Sequence, residues 1–122
     1  MYDYISIRKD KEHSEYTWVH KVVEIGRAIS GLNKIGNVSF SANIGKFEVI
    51  IKGIYADSSG NYSYKNDHEF TKVNLIEVDI PQGAETIHEQ EILSLAKSFA
   101  VPLKWEIEDH ETGMLLYEPM RA

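Results

Sequence analysis

Six carboxylates in the second half of this chain, Glu77, Asp79, Glu106, Glu108, Asp109 and Glu111, come nearest by type and spacing to a working chemical group. Glu77/Asp79 and Glu106/Glu108 are each two residues apart, the spacing that puts both members on one face of a strand. Carboxylates so placed could act as acid and base on a glycosidic bond, which also needs a cleft between them. No Ser-His-Asp spacing and no nucleophile elbow accompanies them. His88-Glu89-Gln90-Glu91-Ile92 starts like a zinc-protease helix, but Ile92 stands where the second histidine belongs. Gly31 and Gly36 have phosphate-loop spacing, yet Asn37-Val38 replaces the lysine and hydroxyl that hold phosphate and magnesium. Asp67-His68-Glu69 and Asp109-His110-Glu111 are twin tripeptides. Two such loops converging would offer ligands to a divalent ion, whereas each alone reads as a turn whose aspartate bonds its own backbone. The sequence assigns no catalytic residue, no metal and no cofactor, and the reading is of a protein that is not an enzyme.

The charge around these groups narrows the partner. Residues 1–60 hold eight Lys/Arg against seven Asp/Glu, and residues 61–122 hold five against twelve, so the net charge of −6 is +1 from the first half and −7 from the second. Such a field repels phosphate backbones and anionic lipid, which disfavours nucleic acid and membrane and favours a basic protein. Packing like charges on a sheet costs stability, so the set has either a binding use or the use of keeping an edge strand from pairing with other chains. There is no cysteine, hence no disulfide, thiolate metal site or thiol nucleophile. No stretch approaches the roughly 18 apolar residues of a membrane span, and no apolar run follows the N-terminus as in a secretory signal. The expectation is a cytoplasmic monomer or homodimer.

At 122 residues, with 43% hydrophobic and 26% charged side chains, the chain is sized and composed for one folded domain. Residues 2–8 alternate as a strand. Trp18, Val22, Ile25, Ile29 and Leu32 recur at helical steps, predicting a helix entered at Ser14-Glu15 with both tryptophans of the chain, Trp18 and Trp105, in the core. Residues 37–43 and 47–56 read as a hairpin turning at Ile44-Gly45. Residues 57–70 form a turn and connector between halves 1–56 and 71–119. In Lys72–Ile80, Val73 and Leu75 share one phase while Ile76, Val78 and Ile80 share the other, so a bulge or two covered faces is predicted. Thr86-x-x-Glu89 reads as a capping box opening a second helix that Pro102 ends. Strands around Leu103–Glu108 and Met114–Tyr117 follow, joined by a turn at Gly113. The whole is two β-α-β-β units: an α+β fold with two helices on one face of a curved, mainly antiparallel sheet, of ferredoxin-like or effector-binding-domain-like plan.

The closing pattern Leu95-Ala96-Lys97…Trp105-Glu106-Ile107-Glu108-Asp109…Gly113…Pro119, on a small, cysteine-free acidic chain, resembles the immunity proteins of bacterial toxin–immunity pairs, including those of contact-dependent inhibition. The resemblance covers about the last 30 residues. It implies a non-enzymatic inhibitor that binds a basic, nuclease-type toxin domain through acidic side chains. A second resemblance, carried by Val78-Asp79-Ile80-Pro81-Gln82-Gly83, is to the strand-to-helix junction of bacterial effector-binding domains. It implies a small-ligand module with a groove between the two units.

Overall fold

The computed structural model describes residues 2–56 and 71–119. In chain order these form β1 (Tyr2–Arg8), β2 (Thr17–Trp18), α1 (Val19–Arg27), β3 (Leu32–Lys34), β4 (Ser39–Ile44), β5 (Phe47–Ile54), β6 (Lys72–Val73), β7 (Leu75–Pro81), α2 (Ala84–Leu103), β8 (Glu106–Asp109) and β9 (Leu115–Tyr117). Seven strands make one sheet in the order β3-β4-β5-β7-β1-β8-β9, and every neighbouring pair is antiparallel. The four central strands, β5-β7-β1-β8, are threaded with the helices as β-α-β-β-α-β, a ferredoxin-like plan. Strands β3 and β4 extend it on one side and β9 on the other. The α+β architecture therefore matches the sequence reading, with a short β2–β6 pair added outside the main sheet.

The two faces of the sheet differ in chemistry because side chains alternate along each strand. Ile5 and Ile7 lie opposite Val78 and Ile76, Val78 lies opposite Ile51, and Phe40 continues the row. These residues and Ile107 meet Val22 from α1 and Ile92, Ala96 and Phe99 from α2 in one buried cluster. Both helices thus pack on the same face. Gly26 lets α1 approach the sheet, since a β-carbon there would stand 2.5 Å from the Phe40 ring.

Several local expectations give way to tertiary demands. The phase break in Lys72–Ile80 falls at Asn74, which separates β6 from β7. Its buried side chain donates from Nδ2 to the Ala56 carbonyl at 2.7 Å and accepts at Oδ1 from the Ala56 amide at 2.8 Å, replacing ladder bonds. Helix α1 begins at Val19, later than Ser14-Glu15 suggests, and Trp18 is its N-cap, 45% exposed, not a core residue. Its indole instead meets Tyr16 edge-on, with Lys72 over the Tyr16 ring. Trp105 is buried as expected, and its Nε1 donates to Glu15 Oε1 at 3.3 Å. Helix α2 starts at Ala84 with Gly83 as N-cap, so Thr86-x-x-Glu89 does not cap it. The helix is kinked at His88 (φ −120°, ψ 30°) and runs one residue past Pro102 before Lys104, at φ 58°, ends it. Pro102 has no N–H to bond the carbonyl four residues back, and the helix ends one residue after it.

Candidate functional site

The side chains on the face away from the helices follow from the pairing register. One row crosses the sheet as Ser39, Lys52, Glu77, Ser6 and Glu108, and a parallel row as Ser41, Ile50, Asp79 and Tyr4. Arg8 lies opposite Glu106, and Glu48 stands two residues before Ile50 on the same face. Five carboxylates and two cations thus share the strand positions of this face: Glu48, Glu77, Asp79, Glu106 and Glu108 against Arg8 and Lys52. At one end the face is closed, where Ile54 and Leu75 are opposite each other and buried. Toward the other end Tyr4 is 38% exposed.

Of the six carboxylates singled out in the sequence, the structure brings together Glu77, Asp79, Glu106 and Glu108. They are not on adjacent strands, since β1 lies between β7 and β8. Asp109 and Glu111 do not join them. Asp109 is opposite Ile5, on the helix side, and its Oδ1 accepts from the amides of Glu111 at 2.9 Å and Thr112 at 3.4 Å. Glu111 is exposed in that turn. The Asp109–Glu111 tripeptide is therefore a turn former. Its twin at 67–69 lies outside the described residues, among which no group of three His, Asp or Glu side chains is placed to hold a metal ion.

Two ionic clusters divide the face, with buried Ser6 between them. In the first, Lys52 Nζ is 2.9 Å from Asp79 Oδ2 and 3.8 Å from Glu77 Oε1. One cation thus faces two carboxylates. Burial raises the Glu77 carboxyl first, the Asp79 carboxyl beside it raises it further, and Lys52 offsets only part, so its pKa is pushed up to about 7. In the second, Arg8 Nη2 donates to Glu108 Oε1 at 2.9 Å, with both side chains largely buried. Glu106, beside them, is held above the ordinary carboxylate range by burial and then by the Glu108 charge. Asp79 Oδ1, Glu108 Oε2 and Arg8 Nε are buried with no hydrogen-bond acceptor or ionised donor among the described residues. Such groups carry a desolvation cost that a donor or acceptor from outside would relieve.

Arg8, Lys52 and Tyr4 were not legible as members of this site. Each joins it only through cross-strand pairing between segments far apart in sequence, which single-chain spacing does not encode. The period-two position of Lys52 in β5 marks which face it occupies, but not which acids it meets.

A separate cavity of about 330 Å³ lies on the helix side, between the first turns of α2 and the ends of β1 and β8. Ile5, Ile80, Ile92, Leu93 and Leu116 make its apolar wall, and Thr86, Glu89 and Asp109 are its polar members, with Tyr4 at its edge. Neither tryptophan lines it.

Comparison with protein-family models, with curated proteins and with solved structures finds no match to this chain.

Proposed function

We propose that this chain is a non-enzymatic binding protein that takes a basic protein partner on the sheet face away from its helices, the role of an immunity protein neutralising a nuclease-type toxin domain. The observation that carries this reading is the buried carboxylate oxygen Glu108 Oε2, which has no donor among the described residues, on an acidic face crossed by no described helix. A lysine or arginine side chain of a partner supplies the missing donor as a charge-assisted bond, which is the stronger kind. Tyr4, Glu48 and Leu115, exposed around the ionic clusters, provide the contact area that such bonds need around them.

The structure sharpens which side chain to test. Glu108 is tied to Arg8, so reversing it strands a buried arginine and costs stability as well as binding. Glu106 is only half-buried and has no close ion pair among the described residues, so Glu106→Lys separates binding from folding. If the reading holds, the gene beside this one encodes a basic toxin-like domain, and the two proteins co-purify. A neighbouring product that stays unbound when the two are mixed at micromolar concentration would remove the basis for it.

A further inference from the structure

The sequence motif Thr86-x-x-Glu89 is left without its expected task, because α2 starts at Ala84 and no side chain caps it. Freed from the helix end, Thr86 and Glu89 fall at i and i+3 on the turn that faces the cavity, followed by Ile92 and Leu93 at the next i+3 and i+4 steps. The cavity they line is built from two sides. From the sheet, Ile5 and Ile80 form an aliphatic floor, and Asp109, opposite Ile5, stands at the rim with its carboxylate fixed by two turn amides. Two carboxylates therefore border a pocket whose other lining is mainly aliphatic, and among the described residues no lysine, arginine or histidine lines it. Its volume of about 330 Å³ falls within the range of small-molecule sites.

We propose that this cavity is a binding site for a small organic cation with an apolar body, the ammonium group between Glu89 and Asp109 and the body against Ile80, Ile92 and Leu93. An anion is repelled by both carboxylates, and a neutral molecule of the same shape gains only the apolar contact. The site lies on the helix side, so this inference stands independently of the partner-binding face.

A series of three ligands of one shape tests it on the full chain: 4-phenylbutylamine, 4-phenylbutanol and 4-phenylbutyrate, each titrated while the isoleucine and leucine methyl NMR signals are followed. The amine is expected to shift the Ile80, Ile92 and Leu93 methyls to saturation. The alcohol should bind about tenfold more weakly and the acid not measurably. In Glu89→Gln with Asp109→Asn, which keeps the oxygen that accepts the turn amides, affinity for the amine should fall about tenfold to that of the alcohol. Should the double variant lose its folded spectrum, Glu89→Gln alone, an exposed helix position, should still weaken the amine selectively. Equal binding of amine and alcohol, shifts located outside these methyls, or unchanged amine affinity in the variants would each overturn the proposal.

Discussion

The Glu77 carboxyl has its pKa pushed up to about 7, and the consequence is a dependence of stability on pH. In the folded protein it keeps its proton up to about pH 7, whereas in the unfolded chain it releases it near 4.5. The folded state therefore holds more protons between these values, and the contribution of this group is full below about pH 4.5 and is lost as pH rises through 7. Glutamine at this position cannot ionise. Glu77→Gln should gain roughly 1 kcal/mol over the parent at pH 8 and little at pH 4.5, allowing for the part of the group that water screens. Urea unfolding at the two pH values measures this, and an unchanged pH dependence in the variant would contradict it. Asn74 makes the other residue-scale prediction. Asn74→Ala leaves both the amide and the carbonyl of Ala56 without their side-chain partner, at a cost of about 2–3 kcal/mol in the same assay.

Among the elements, α1 shows how packing overrides propensity. Glycine to alanine within a helix ordinarily stabilises by up to about 1 kcal/mol. Here Gly26→Ala should instead destabilise by about 1–3 kcal/mol, because the new methyl meets the Phe40 ring, itself packed against Phe99. Adding Phe40→Leu should recover part of that loss, and a thermal melt of the three proteins decides it. The element pattern was readable where periodicity is driven by burial: the hairpin β4–β5, the break at Asn74, the apolar stripe of α2 and the buried Trp105 all follow from alternation or helical spacing. It failed where the chain ends of elements are set by distant contacts. Trp18 has the right phase for the α1 stripe, but β2 pairs with β6 through Thr17 and Val73, which holds Trp18 before the first helical turn. The local capping signal at Thr86 likewise lost to a start at Gly83, where φ of 92° suits a glycine.

For the whole molecule, sheet order decides what the acidic half can do. Inserting β1 between β7 and β8 brings Arg8 among the acids, and pairing β5 with β7 brings Lys52, so the face is mixed and ordered in place of uniformly negative. The sequence shows the carboxylates and their phase; the compensating cations, and Glu108 Oε2 left without a donor among the described residues, emerge only from the fold. Binding at such a face should depend on ionic strength, since its rim charges are screened by salt. The most direct test of the proposed function is a calorimetric titration of the proposed basic toxin partner into the parent, Glu106→Lys and Glu24→Lys, the last an exposed acid on α1. Binding through the face away from the helices predicts that Glu106→Lys weakens affinity at least about a hundredfold with an unchanged melting temperature, while Glu24→Lys binds like the parent. Parent-like affinity in Glu106→Lys, or equal losses in both variants, would contradict it.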